Sequence, residues 1–411
     1  MKQYQREKCS CGDATPKAYN PYLVQRVARN LNGDGMSRMS DRFELSRNDG
    51  AGNVRPMEGL RGFAVFLVFL VHYATLMAPW ISRGTPLAAA AAAVHAVGNA
   101  GVDLFFVLSG YLIYGSLISR HRPFLPFIWR RVVRIYPAFL VVFATYLILS
   151  FLHPGASKLP AGGPAAALYI LENVLLLPGI FRIEPIISVA WTLSYEMFYY
   201  LTLPAIVLFL GMRARSRTWR VIFFIALAAV IIIAGAAYEG PIRLAMFVAG
   251  ILLHEAISTR MPVPRTAFVT MLSIASLLFI TAPFIDPIAW AARICALFCA
   301  LFFLCLHCFT MPNSLPGRTF SLAPLRWLGN MSYSYYLVHG LALKMLVVIL
   351  LTTVPSVTHE TAFVLLMLPL AFLLTLFPSA ALFLLVEKTF SLKPRTRLPA
   401  MPVAVQSSAV L

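Results

Sequence analysis

Apolar runs of about twenty residues recur along this chain, and they constrain its fold more than any other feature. Twenty helical residues rise about 30 Å, which matches the hydrocarbon thickness of a bilayer. Such runs lie near 58–80, 98–119, 135–153, 188–211, 219–237, 241–258, 266–284, 288–309, 328–351 and 361–386. With 59% of 411 residues hydrophobic and 12% charged, a water-soluble domain could not hide the apolar surface. The expected fold is all-α, a polytopic transmembrane helix bundle of about ten spans.

Two segments stand apart from the spans. The alanine run LAAAAAAVHAV (87–97) is helix-prone but falls in an outer loop on this count. ALYILENVLLLPGIF (167–181) is short for a span and carries Glu172 and Asn173, so it reads as an outer re-entrant or interfacial segment.

The basic residues orient the bundle. Ten spans place the N-terminal tail, the loops at 120–134, 212–220, 258–265 and 310–327, and the C-terminal tail on one side. Those segments hold 27 of the 34 Lys and Arg, which marks that side as cytoplasmic. An eleventh span at 167–181 would put RARSRTWR (213–220) outside, against this bias. The net charge of +18 therefore reports membrane orientation rather than nucleic-acid binding. The domain reading is a flexible basic cytoplasmic tail at 1–56, a transmembrane domain at 57–390 and a cytoplasmic C-terminal tail at 391–411. The first 50 residues lack the apolar core of a signal peptide.

Cys295, Cys299, Cys305 and Cys308 lie in one apolar segment, and Cys9 and Cys11 in the basic tail. A zinc site from Cys305, His307 and Cys308 is outweighed by ordinary helix packing, so no metal is expected.

Ionisable groups inside spans cost about 2.5–3.5 kcal/mol each at a helix centre and call for a reason. Arg61 and His72 stand eleven residues apart in RGFAVFLVFLVH (61–72). Eleven helical steps make about three turns and roughly 16 Å, so both project from one face. Asp103 in GVDLFFVLSGYLI (101–113) and Glu196 in WTLSYEMFYY (191–200) reach depths similar to His72 in the outer half. A buried carboxylate can fix an imidazole's tautomer and stabilise its charged form, so the three are expected to converge. The structural alternatives are Asp103 as a helix cap and Glu196 bridged to Arg293. WRRVVRIYP (129–137) adds Arg130, Arg131 and Arg134 on the cytoplasmic side, either as a lipid-phosphate anchor or as a clamp for an anionic cytosolic ligand.

At these residues the chain resembles the acyltransferase 3 family of integral-membrane acyltransferases. The likeness rests on Arg61 and His72, GVDLFFVLSGYLI (101–113), RRVVRIYP (130–137), WTLSYEMFYY (191–200) and WLGNMSYSYYLVHG (327–340), in order across about 57–390. It implies a ten-helix O-acyltransferase that moves an acyl group, most often acetyl, from cytosolic acyl-coenzyme A to a hydroxyl. The acceptor would be a glycan, a lipid-linked glycan or another surface-directed molecule. The family often has two adjacent acids after the tryptophan; here Met197 follows Glu196, a form more like the exopolysaccharide O-acetyltransferase branch. The chain ends soon after its last span, which leaves no room for the extracytoplasmic hydrolase-like domain of some members.

In the mechanism this implies, Arg61, Arg130, Arg131 and Arg134 bind the donor phosphates. His72 accepts the proton of the attacking hydroxyl, with Asp103 or Glu196 orienting it, and an acyl-His72 intermediate stays open. Ser109, Trp191, Tyr199, Tyr335 and His339 are expected to line the site, Ser109 as an oxyanion donor. The setting would be a bacterial inner membrane, with lipids as neighbours and a homo-oligomer compatible with the sequence. The alternative function is a transporter or flippase of a lipid-linked glycan, which predicts Gly/Pro-broken spans in two matching halves; none is evident.

Overall fold

The structure is a computed structural model that describes residues 42–44, 55–119, 123–259, 265–281, 289–354 and 359–392. Each apolar run becomes a helix, because a helix satisfies its own backbone N–H and C=O groups where lipid cannot. In chain order these are α1 (Arg55–Leu76), α2 (Pro86–Gly98), α3 (Ala100–Ile118), α4 (Phe124–Leu152) and α5 (Gly163–Val174). Then come α6 (Trp191–Phe209), α7 (Arg217–Ala237), α8 (Ala245–Ser258), α9 (Arg265–Thr281) and α10 (Ala289–Thr310). The short α11 (Leu315–Thr319) and α12 (Ala323–Asn330) lead to α13 (Ser332–Thr353) and α14 (Glu360–Leu382), which continues as a π-helix over Phe383–Ser391. No strand is formed among the described residues.

Among the described residues, eight helices are long and apolar enough to cross a membrane, with α2 and α3 counted as one through Asn99. The chain is thus an integral, multi-pass, all-α bundle. The two remaining expected spans are helical but shorter: α8 has 14 residues after a 3-10 turn at Ile242–Leu244, and α9 has 17. The alanine run, expected to be helix-prone within an outer loop, forms the helix α2, capped by the Thr85 hydroxyl on Ala88 N–H. The loop assigned to 120–134 is mostly helix, since α4 begins at Phe124 and its 29 residues rise about 43 Å. Arg130, Arg131 and Arg134 therefore ride on the third span itself. At 12 residues, or about 18 Å, α5 is too short to cross. The expected 1–56 tail lies outside the described residues apart from 42–44, 55 and 56, as does the 391–411 tail apart from 391 and 392.

Two close helix contacts set the positions that matter. Gly62 and Gly329 let α1 meet α12 backbone to backbone: a Cβ on Gly329 would lie 1.7 Å from the Glu58 carbonyl oxygen. Beside that contact the buried Arg326 donates from Nε to Glu58 Oε2 at 2.9 Å. Gly110 and Gly250 play the same part between α3 and α8, where a Cβ on Gly250 would lie 2.0 Å from the Val107 carbonyl oxygen. Small residues at such contacts are how helices gain packing in lipid, where the hydrophobic effect does not drive them together. Phe247 of α8 fills the space beside the contact, stacked on Phe106 at 4.7 Å and on Tyr199 at 4.1 Å.

Helices α1 and α3 run antiparallel. Gly98 abuts Val71 and Leu67, and Gly101 abuts Ala64 and Leu67. This register fixes which residues share a level in the bundle.

Candidate functional site

A cavity of about 400 Å³ opens between α3, α4, α6 and α13. It follows α3 from Val102 to Ser116, fourteen residues and so roughly 21 Å. Arg61 enters it from α1, and Arg131 and Arg134 from α4, where i and i+3 share a face. Ser109, Glu196 and Tyr200 complete the polar wall with Thr192, Ser332 and Tyr336. Arg130 is exposed and is not among the lining residues, because it points about a quarter turn away from Arg131.

The cations are held in place. Arg61 donates to Ser332 Oγ from Nη2 at 3.0 Å and from Nε at 3.3 Å. The Arg131 guanidinium lies over the rings of Phe127 at 5.2 Å and Tyr200 at 5.0 Å, which orients it while leaving edge N–H groups for another partner. Glu196 accepts at Oε1 from Ser109 Oγ at 3.3 Å and from the Tyr200 hydroxyl by a short bond. Ser109 thus lines the cavity as expected, but it donates to Glu196. Glu196 has no bridge to Arg293, which instead donates to the Ala96 carbonyl and lies over Phe279.

His72 is half-buried and does not line this cavity. Its ring meets His339 edge-on, with 5.1 Å between centroids. Neither carboxylate is hydrogen-bonded to it, so the expected triad with Asp103 or Glu196 does not form. The helix register explains why for Asp103: Gly98 faces Val71, so Asp103 stands about six residues, or 9 Å, along the axis from His72. Asp103 accepts at Oδ2 from Arg243 Nη1 at 3.3 Å and lines a second cavity of about 250 Å³.

His339 occupies the place expected of a carboxylate. It is fully buried, and its Nδ1 lies 3.0 Å from the Tyr335 carbonyl oxygen. A carbonyl only accepts, so Nδ1 carries the proton and Nε2 is a bare acceptor, which has no hydrogen-bond partner. Tyr336 touches His339 at 6.0 Å between ring centroids and also lines the larger cavity. Two rings in succession, Tyr336 and then His339, therefore lead from that cavity to His72.

The other expected lining residues are packed elsewhere. Tyr335 is buried, shares a hydrogen bond with Thr375 Oγ1 at 2.7 Å and stacks on His339 at 5.5 Å. Tyr199 donates to the Leu244 carbonyl at 2.8 Å and packs on Phe247. Trp191 meets Tyr195 at 5.3 Å and Phe106 at 6.3 Å, behind the cavity wall. Cys305 and Cys308 are buried and His307 stacks on Phe268 at 3.9 Å; among the described residues no group of three His, Cys, Asp or Glu is set to hold a metal ion.

Two contributors escape a reading of the sequence. Ser332 lies far from Arg61 along the chain, and nothing local marks a serine as an arginine's partner. Glu387, which follows the last apolar run, is fully buried in the π-helix and accepts from Ser334 N–H at 3.2 Å and Ser334 Oγ at 2.6 Å. It thereby anchors the first turn of α13, which carries Ser332. A π-turn is a common device for placing one side chain at a site.

A family model described as an acyltransferase domain matches residues 56–376 of the chain, well over half its length. The chain is 28% identical over 307 residues to a putative membrane-bound transacylase, BcsY, of Komagataeibacter xylinus, covering 69% of this chain and 72% of that one. It is 32% identical over 174 residues to the O-acetyltransferase OatA of Staphylococcus aureus, covering 39% of this chain and 26% of that one. With the peptidoglycan O-acetyltransferase OatA of Listeria monocytogenes it shares 26% identity over 341 residues, 74% of this chain and 51% of that one. The chain thus spans a quarter to a half of the two OatA relatives. No solved structure matches it.

Proposed function

This chain is a membrane-embedded member of the acyltransferase 3 family, and on that premise we propose that it moves an acyl group from cytosolic acyl-coenzyme A to a hydroxyl of a glycan or lipid-linked glycan. The observation that carries this reading is the convergence of Arg61, Arg131 and Arg134 with Glu196 in one cavity. Forked guanidinium donors suit phosphate oxygens, and a slot roughly 21 Å long suits a thin, extended chain better than a compact ligand. Acetyl is the proposed acyl group. The proposed setting is a bacterial inner membrane with both chain ends on the cytoplasmic side.

In this reading the three arginines grip the donor's phosphates near the start of α1. Neutral His72 takes the proton of the acceptor hydroxyl as its oxygen attacks the thioester carbon. A carbon–oxygen bond forms, the carbon–sulfur bond breaks, and the proton passes on to the leaving thiolate. His339 positions His72 by packing edge-on against its ring, 5.1 Å between centroids. Glu196, fixed by Ser109 and Tyr200, balances the positive charge of the cavity. Asp103 has no place in this proton path.

The test uses purified full-length protein in detergent with labelled acetyl-coenzyme A. His72→Ala is expected to fold and to lose transfer by a factor of about 10²–10⁴, the usual contribution of a general base. Arg61→Ala is expected to raise the donor KM while leaving kcat nearly unchanged. Transfer at the wild-type rate by His72→Ala would overturn the assignment.

A further inference from the structure

The larger cavity accounts for a donor but leaves the acceptor without a place. The second cavity, of about 250 Å³, is walled by α2, α3, the turn before α8, α9 and α10. It stands level with the base. Gly98 faces Val71 of α1, and the cavity residues His95 and Asn99 lie within a turn of Gly98. His95 Nε2 is also 3.1 Å from Thr75 Oγ1, one turn beyond His72.

The chemistry of this wall is unbalanced. Among the described residues, Arg243 and Arg293 both line it, against the single carboxylate of Asp103. Arg243 uses only Nη1, at 3.3 Å from Asp103 Oδ2 and 3.5 Å from the Asn99 carbonyl oxygen. Arg293 uses only Nη2, at 2.5 Å from the Ala96 carbonyl oxygen. Each guanidinium has five N–H donors, so most of the ten have no partner among the described residues. Asp103 is 1% exposed, and its Oδ1 accepts no hydrogen bond. A buried carboxylate oxygen left bare is costly, as is an uncompensated guanidinium in a span.

We propose that this cavity is the acceptor subsite and that it binds one anionic sugar unit, a sugar carrying a carboxylate or a phosphate. Arg243 and Arg293 donate to the anionic group, and Asp103 Oδ1 accepts from a sugar hydroxyl. The Phe279 ring, which Arg293 covers at 4.8 Å, adds an apolar element to the wall and orients that guanidinium. The volume is below the roughly 300–1,000 Å³ of drug-sized sites, which suits a single ring. The anion could be a sugar acid's carboxylate or the phosphate that links a sugar to a lipid carrier; the chemistry of recognition is the same. This inference rests on the acyl-transfer reading, since it names that reaction's acceptor.

The test is thermal unfolding of the full-length protein in detergent, titrated separately with methyl glucuronoside, glucose 1-phosphate, methyl glucoside and coenzyme A. A saturable rise in midpoint with either anionic sugar, and none with the neutral glucoside, is the expected result. The active anion tells which source the site takes. Arg293→Gln leaves the Asp103–Arg243 pair intact and is expected to weaken the anionic sugar at least tenfold without altering the coenzyme A response. Arg243→Gln serves as a second variant with the same expectation. An equal response to neutral and anionic sugars, no response to any, or an anion response unchanged in both variants would overturn the proposal. Loss of the coenzyme A response alone would instead count against the donor cavity.

Discussion

The contact between α3 and α8 fixes the helix that lines the larger cavity from Val102 to Ser116, and one methyl group tests it. In Gly250→Ala the new Cβ would sit 2.0 Å from the Val107 carbonyl oxygen and 2.6 Å from Tyr111 N. Ordinary contact begins near 3.4 Å, so the two backbones must part by about 1.4 Å. Neither atom belongs to a flexible side chain, and a packed core resists such displacement. Overpacking of this kind costs about 1–3 kcal/mol, at times more. The same shift displaces Ser109, two residues from Val107, from its present register with Glu196. A misplacement of about 1 Å at a reacting site can cost two orders of magnitude in rate. Gly340→Ala is the matched control, since nothing lies within 4 Å of its would-be Cβ and it sits inside α13. That change should instead gain about 0.5–1 kcal/mol from helix propensity. The assay is thermal unfolding in detergent followed by tryptophan fluorescence, with transfer of labelled acetyl measured on the same samples. If Gly250→Ala matches Gly340→Ala in midpoint and keeps wild-type transfer, the proposed close approach of α3 and α8 is refuted.

Three further outcomes follow from other contacts. Glu58→Gln leaves Arg326 buried without its counter-charge, and the expected loss is about 3–5 kcal/mol of stability; replacing both by Met should recover most of it, and an unchanged midpoint in Glu58→Gln would mean the pair contributes nothing. Ser332→Ala removes the hydroxyl that steadies Arg61, and at about 1.5 kcal/mol for a hydrogen bond to a charged group the donor KM should rise roughly tenfold with kcat unchanged. Glu196→Gln keeps the side chain's shape and its contacts with Ser109 and Tyr200 but removes the charge; slowed transfer with an unchanged unfolding midpoint is expected, and full activity would show that the charge is dispensable.

Much of the architecture is legible in the sequence because hydropathy and lipid thickness are the same quantity seen twice. All ten apolar runs are helical in the structure, and the short, polar-bearing run at 167–181 yields only a helix too short to span. The helix propensity of the alanine run is likewise realised, as α2. Arg61, Arg131, Arg134, Ser109 and Glu196 share a cavity because each sits on a helix face that periodicity defines. Asp103 and His72 fall apart because depth counted from span ends carries an error of a few residues, and a few residues are a whole turn. The partnership of His72 with His339 depends on which helices neighbour one another, and no spacing within one segment encodes that. Ser332, Glu387 and Arg243 were hidden for the same reason.

The hydrogen bond from Arg61 to Ser332 joins residues 271 positions apart. At a synthesis rate of about 5–20 residues per second, the arginine waits roughly 14–54 s in the growing protein before its serine exists. Throughout that interval a guanidinium in the first inserted helix must draw its solvation from headgroups or water. The larger cavity is therefore among the last parts of the molecule to be assembled, and a nascent chain stopped short of α13 would carry Arg61 without the residue that steadies it.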